Sequence, residues 1–149
     1  MDALRIGPDA LAVASVAFGV PPDRLSAHHA RRGLTVRADE RAETHARATG
    51  VVVATAQWLG DANIVPRGHP GDGRAEVLTF AVARGERAEL RRRLPSGSHL
   101  PHPGIITTTG RSIHLRSRRP LPVLVDGVAM DKARELEITV MPGAYRILV

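Results

Sequence analysis

The sequence predicts a mainly β (α+β) fold: a two-layer antiparallel β-sandwich or distorted barrel with one or two short helices. Short apolar segments recur along the chain between Gly, Pro and Asp-Gly turns. Residues 112–118 and 135–140 alternate apolar and polar side chains, the period of a half-buried strand. The chain has 149 residues with only one Trp, one Tyr and two Phe, so its core must be aliphatic. A chain of this length is expected to form one domain, residues 1–149.

Two helices interrupt the predicted strands. Residues 8–18 are rich in Ala and Leu, carry Asp9 in the first turn, and precede Gly19 and two prolines, which is typical of a helix stop. Residues 86–94 form the second predicted helix, whereas segment 25–50 is polar and only weakly periodic. The predicted strands are residues 34–38, 51–58, 75–82, 105–109, 112–118, 122–125, 135–140 and 145–149.

The net charge indicates which classes of molecule this protein binds, and the lack of cysteine indicates the cell compartment. The net charge is +6, and Lys132 is the only lysine among 21 basic residues. A basic surface attracts phosphate-bearing molecules, nucleic acid or a membrane surface. The chain has no cysteine, and its first apolar run is too short to cross a bilayer, so we expect a cytoplasmic protein.

Motifs for known chemistry are few. His99 and His102, or His28 and His29, suggest a metal site, but their spacing provides no third ligand, so loop histidines bonded to the backbone are favoured. The sequence contains no Gly-x-Ser-x-Gly nucleophile elbow and no glycine-rich phosphate loop. No catalytic residue is therefore predicted.

The second predicted helix carries a run of arginines. Arg91 and Arg92 are candidate ligand-binding residues, because an arginine-rich helix face attracts anions. The alternative is that these arginines only complement the helix macrodipole and pair with Glu89, as in an i,i+4 pair with Arg93.

Residues 65–77, "VPRGHPGDGRAEV", pass from a turn into a strand. Gly supplies left-handed backbone and Asp72 closes an Asx-type turn, which predicts a structural corner. Arg67 and His69 beside it are candidate ligands for an anion.

Segments 51–82, 119–127 and 138–149 together resemble the C-terminal half of the diacylglycerol kinase and bacterial lipid kinase family, within the NAD kinase-like superfamily. In that family a Pro-x-Ala-x-x-Asp-Gly-x-x-Asp turn leads into a long strand, a "VDG" hairpin follows, and a Pro-x-Ala-like corner enters the last strand. The matching residues here are Pro66, Asp72-Gly73, Glu76, Asp126-Gly127 and Pro142-Gly143-Ala144. The resemblance covers roughly residues 34–149, and residues 1–33 match poorly.

The resemblance implies a β-rich domain that helps to hold a lipid, in an enzyme whose separate α/β domain binds ATP through a Gly-Gly-Asp-Gly-Thr loop. This sequence contains no such loop. The family hairpin commonly continues with a Glu that accepts the proton of the lipid hydroxyl, but here that place is Val128, which cannot act as a base. The resemblance also implies ligand binding near Asp126 and, as an alternative to the simple corner, a divalent ion such as Mg²⁺ at Asp72. No other cofactor is expected.

We therefore expect a lipid-kinase-like C-terminal domain that is not a complete kinase alone. It binds a lipid or another phosphate-bearing small molecule, with peripheral membrane contact, or completes a site with a separate nucleotide-binding protein chain. One alternative is a basic nucleic-acid-binding module, which the few aromatics and the lack of a recognition motif disfavour. The other is an active lipid kinase of unusual design.

Overall fold

The computed structural model describes residues 1–66 and 72–146, and in these residues the chain is mostly antiparallel sheet with one short α-helix. The strands are β1 (Ala3–Ile6), β2 (Ala10–Ala12), β3 (Ser15–Gly19), β4 (Arg32–Ala38), β5 (Thr44–Ala48), β6 (Gly50–Ala54), β7 (Trp58–Leu59), β8 (Ala62–Asn63), β9 (Ala75–Phe80), β10 (Ile105–Gly110), β11 (Ser112–Val125) and β12 (Val128–Met141). Helix α1 is Arg87–Arg93, and single 3₁₀ turns lie at Pro22–Arg24 and Arg84–Glu86.

Strand β11 belongs to both layers of the sandwich. Its first part pairs with β4, which in turn pairs with β5, and its last part pairs with β3. Strand β12 runs along its other edge, with register shifts between Arg116 and Val123. From β3 the sheet continues through β6 and β9 to β10, and from β12 through β1 to β2. Irregular strands of this kind form the corners of packed sheets, which gives the predicted sandwich.

Two apolar clusters form the core. The first lies between the layers and takes side chains from β4, β6 and β11, including Leu34, Val53 and Leu115. The second lies on the opposite face of β6 and β9, where Leu90 of α1 packs with Val52. Strand β6 is therefore buried on both faces, which explains its continuous "VVVA" run instead of an alternating pattern.

The predicted helix over residues 8–18 is wrong. This segment forms β2 and β3 instead. All five residues of β3 are buried, and β3 pairs with both β6 and β11. Phe18 faces the first cluster and Ala17 the second. Burial on two faces between two strands outweighs the intrinsic helix preference of Ala and Leu.

The second predicted helix and the predicted strands up to residue 140 are confirmed with changed bounds. The predicted helix over 86–94 is α1. The predicted strand over 51–58 ends at Ala54, segments 112–118 and 122–125 are one strand, and the polar segment 25–50 contains β5 as well as β4. Of the predicted strand over 145–149, Tyr145 and Arg146 lie outside any strand, and the remainder lies outside the described residues. In the described part of the chain, no helix is long and apolar enough to cross a membrane.

Candidate ligand-binding cleft and the turns beside it

Asp126 and Gly127 form the two-residue turn of the β11–β12 hairpin. Both have left-handed backbone, with φ of 50° and 80°, between the paired residues Val125 and Val128. Such a two-residue turn favours Asp-Gly because glycine and aspartate tolerate positive φ. The hairpin predicted from "VDG" is confirmed. Val128, at the position where the family carries its base, is 64% exposed.

The carboxylate of Asp126 is turned toward the loop between β2 and β3. Its Oδ2 accepts the backbone N–H of Val13 at 2.8 Å, and its Oδ1 accepts those of Ala14 at 2.8 Å and Ser15 at 3.0 Å. Three charge-assisted hydrogen bonds make it an anchor for that loop. The ligand-binding role of Asp126 stays a prediction.

The Asp72 turn has the predicted Asx geometry. Asp72 Oδ1 accepts the backbone N–H of Arg74 at 2.9 Å, and Gly73 has φ of 77°. The N–H of Gly73 donates to the buried carboxylate of Asp2 at 2.6 Å, and the other oxygen of Asp2 accepts the N–H of Gly143 at 2.9 Å. Asp2 thus joins the two turns, a role that no local sequence pattern reveals. Arg67 and His69 lie outside the described residues.

One cluster in the described part of the chain has the spacing for a metal ion, and it does not include Asp72. The ligand atoms of His114, Glu135 and Glu137 lie within 4.8 Å of one another on β11 and β12. Nε2 of His114 and Oε1 of Glu135 are already in direct contact, an ordinary pairing of polar side chains on neighbouring strands. Mg²⁺ at Asp72 stays a prediction.

The arginines of α1 divide into buried and exposed groups. Arg87 is 1% exposed, and its guanidinium donates to the carbonyls of Val82, Ser26 and His29. Burial and the nearby positive charges of Arg84 and Arg31 lower its pKa. Arg87 therefore fixes the loop that precedes β4 to the helix.

Arg91 and Arg92 lie on the exposed face of α1. Glu89 pairs with Arg92 in direct contact and with Arg93 at 2.9 Å, which confirms the predicted i,i+4 pair. The anion-binding role of Arg91 and Arg92 stays a prediction, and neither arginine lines the apolar cleft between β9, β10 and the loop after α1.

An apolar cleft of about 630 Å³ opens where β9 and β10 meet the loop after α1. Leu78 of β9 lies opposite Thr107 of β10 and forms its floor with Ile105. Its remaining lining residues come from the loops and from the start of β9: Val65, Pro66, Glu76, Gly97, Leu100, Pro101 and His102. Pro66 and Glu76, two of the residues that carry the family resemblance, therefore border one cavity. Sequence analysis missed the cleft.

Gly97 allows the loop to close against Pro66. Its φ is 71°, and a Cβ at this position would lie 2.7 Å from Cγ of Pro66 and 2.9 Å from Nδ2 of Asn63. Only glycine combines left-handed backbone with so close an approach. The wall of the cleft therefore depends on a residue without a side chain.

The two histidines of "HLPH" have different partners. The buried His99 donates from Nε2 to the carbonyl of Ile64 at 3.0 Å, and desolvation by burial lowers its pKa. His102 accepts the N–H of Gly104 at Nδ1, 2.8 Å away, and lines the cleft. His99 thus supports the cleft from behind, and His102 presents a polar ring to it.

Comparisons with known proteins agree with this architecture. Residues 10–149 match the family described as the YegS C-terminal NAD kinase beta sandwich-like domain. No curated protein matches the sequence closely enough to serve as a relative. The match begins upstream of residue 34, so it includes β2 and β3.

Two crystal structures from Bacillus anthracis str. Sterne share the fold. One, named as a putative diacylglycerol kinase, has a TM-score of 0.74 at 12% identity, over 95% of this chain and 53% of that protein. A second, a diacylglycerol kinase, has a TM-score of 0.71 at 14% identity, over 95% of this chain and 50% of that protein. The chain thus spans about half the length of these two proteins.

Proposed function

This chain belongs to the family of the YegS C-terminal NAD kinase beta sandwich-like domain, and from that premise we propose that its apolar cleft binds the hydrocarbon part of a lipid. The observation that carries the proposal is the lining: Leu78, Leu100 and Ile105 surround a cleft of about 630 Å³. Pockets for small molecules typically measure roughly 300–1,000 Å³ and are mainly apolar with a few polar groups. Acyl carbons buried there leave water, which is favourable.

The polar groups at the same cleft suit an uncharged lipid headgroup. Glu76, Thr107 and His102 supply a carboxylate, a hydroxyl and an imidazole among the apolar walls. A lipid hydroxyl donates to a carboxylate, and ester oxygens accept from a hydroxyl. A diacylglycerol-like molecule, with one free hydroxyl and two esters, matches this set.

We propose further that phosphoryl transfer requires a separate nucleotide-binding chain or domain. Phosphoryl transfer needs positioned phosphates, metal ions and a group that receives the proton of the nucleophile. Val128 stands at the hairpin position where the family resemblance implies that base. On this proposal the domain contributes lipid binding to a shared site and is inactive by itself.

Exposed apolar side chains near the hairpin favour such a shared site. Leu11 and Val13 are 63% and 51% exposed, and Val128 and Met130 are 64% and 49% exposed. Asp126 connects the two segments through its bond to Val13. Exposed apolar patches mark interaction surfaces. We therefore propose that the nucleotide-binding partner docks at this edge, and that the complex acts in the cytoplasm or at the cytoplasmic face of a membrane.

Co-purification from the native cell tests the proposal. The chain should retain diacylglycerol-like lipid, identified by mass spectrometry of the solvent extract, and should capture a protein that contains a Gly-Gly-Asp-Gly-Thr loop. A variant with Val13→Asp and Val128→Asp should lose the protein and keep the lipid. Purified chain that contains no lipid and accepts none from vesicles would contradict the lipid assignment.

A further inference from the structure

We propose that a depression lined by five arginines, on the face of β4, β5 and β11, binds a small anion that carries two or more phosphate charges. The arginines are Arg31, Arg32, Arg47, Arg118 and Arg119, and Gly33 and Ser117 complete the lining of about 430 Å³. The apolar cleft has an entirely different set of lining residues. The inference therefore does not depend on the lipid proposal.

Gly33 makes the room for this depression. It lies directly opposite Arg47 in the β4–β5 ladder, and its neighbour Leu34 pairs with Ser117, the residue before Arg118. A Cβ at Gly33 would meet no atom within 4 Å. The missing side chain leaves open space between Arg47 and Arg118, which come from strands on either side of β4.

The arginines converge without a carboxylate among the lining residues. The sequence contains no Asp or Glu in residues 24–38, 44–60 or 90–125, the segments that supply these arginines. Some arginines elsewhere in the described chain do have carboxylate partners, as Arg116 has Glu43 at 3.1 Å and Arg41 has Asp39 at 3.6 Å. Uncompensated like charges repel one another, and a phosphate relieves that repulsion because its oxygens accept paired hydrogen bonds from the forked guanidinium donors.

The depression is partly organised in the absence of ligand. Arg47 donates from Nη2 to the carbonyl of Arg31 at 3.3 Å, which holds its side chain along the rim. Arg32 and Arg119 also line an adjoining depression of about 240 Å³, together with His29 and Lys132. Two neighbouring cationic depressions that share two arginines suit an anion with two phosphate groups better than a single phosphate.

The chemistry recognised is a compact, multiply charged phosphate, carried by a free molecule or by a phosphorylated lipid headgroup. Calorimetric titration of the full chain with inorganic diphosphate at near-physiological salt tests the site. Replacing Arg47→Gln together with Arg118→Gln should weaken binding about tenfold or more, because two charge-assisted contacts are lost. The matched control, Arg5→Gln with Arg111→Gln, removes the same charge from exposed positions outside the depression and should weaken binding by about twofold or less.

A second variant changes shape and not charge. Gly33 has no left-handed backbone in this structure, so Gly33→Val keeps the strand, since valine favours strands, and fills the space between the arginines. It should weaken diphosphate binding about as much as the arginine pair does, with an unchanged circular dichroism spectrum. Wild-type affinity in Gly33→Val, or equal losses in the two double variants, would overturn the proposal.

Two further binding measurements distinguish a phosphorylated lipid headgroup from a free phosphate anion. Binding to phosphatidylcholine vesicles that contain diacylglycerol pyrophosphate, lost in Arg47→Gln with Arg118→Gln, assigns the site to a lipid headgroup. Binding of diphosphate without vesicle binding assigns it to a free anion. Binding of duplex DNA through these arginines, with no binding of diphosphate, would overturn the proposal in favour of a nucleic-acid surface.

Discussion

The carboxylate of Asp2 accepts a hydrogen bond from the backbone N–H of Gly73, 2.6 Å away and 71 positions later in the chain. Asp39 and Asp126 act in the same way, since each accepts backbone N–H groups from a distant turn. For Asp39, the hydrogen bonds from Arg111 and Ser112 lower the carboxyl pKa. Carboxylates that accept backbone N–H groups in this way fix turns whose own backbone offers few partners.

Asp2→Ala should destabilise the domain by about 2–4 kcal/mol, because the N–H groups of Gly73 and Gly143 lose their acceptor. Asp2→Asn should cost less, since it keeps one acceptor oxygen. Denaturant unfolding measures both, with Asp9→Ala as an exposed control that should stay within about 0.5 kcal/mol of wild type. Equal stability of Asp2→Ala and Asp9→Ala would show that the ties to Gly73 and Gly143 do not stabilise the fold.

The local sequence pattern correctly predicted strands that bury only one face and hairpins with a two-residue turn. Residues 112–118 and 135–140 alternate because one face is buried, and Asp126-Gly127 marks its own hairpin. The same reasoning failed at β3, because Ala and Leu indicate a helix until the two flanking strands are known. Tertiary burial, which a local window does not contain, decided that segment.

The candidate sites are distributed over segments far apart in sequence. Leu78, Leu100 and Ile105 are ordinary apolar residues in the sequence, and only the β9–β10 register and the loop at Gly97 make them one cleft. Likewise, Arg47 and Arg118 lie 71 positions apart. Their neighbouring residues give no stronger indication of anion binding than the residues around Arg91 and Arg92 do. Sequence identified the Asp72 and Asp126 turns because turn chemistry is local.

Asp72→Asn should leave the melting temperature nearly unchanged, because asparagine also closes an Asx turn. The expected shift is about 1 °C or less with or without added Mg²⁺ or Ca²⁺. Scanning calorimetry of both proteins with and without each ion measures it. A metal-dependent rise of the wild-type melting temperature that disappears in Asp72→Asn would instead establish a cation site there.

Stability should fall as the pH drops below about 6.5, the ordinary pKa of histidine. Burial lowers the pKa of His99, and also that of His29, so the unfolded chain binds protons that the folded chain does not. Each such proton contributes up to about 1.4 kcal/mol per pH unit, present above that pH and lost below it. In His99→Gln the slope of unfolding free energy between about pH 5 and 7 should decrease.

His45→Gln, which replaces a largely exposed histidine of β5, is the control and should keep the wild-type slope. Urea unfolding at several pH values measures all three proteins. An unchanged slope in His99→Gln would mean that His99 is protonated in the folded state, contrary to its buried position.

Binding to vesicles should survive added salt better than binding to oligonucleotides. Counterion release makes polyanion binding decay steeply between about 50 and 200 mM salt, whereas acyl burial in the cleft is insensitive to screening. Sedimentation with vesicles and fluorescence anisotropy with oligonucleotides measure the two. Arg91→Glu with Arg92→Glu should weaken the low-salt component of both. Sequence-specific oligonucleotide binding at about 200 mM salt, without vesicle binding, would favour the nucleic-acid alternative.

Titration of a fluorescent diacylglycerol analogue in phosphatidylcholine vesicles tests the claim that the cleft at Leu78 and Ile105 holds a lipid. Thr107→Phe fills the cleft from an exposed position of β10, and Ile106→Phe adds the same ring to the opposite face of that strand. We expect saturable binding by the wild type, a loss of about tenfold in Thr107→Phe, and wild-type affinity in Ile106→Phe. No saturable binding, or the same affinity in both variants, would contradict the claim.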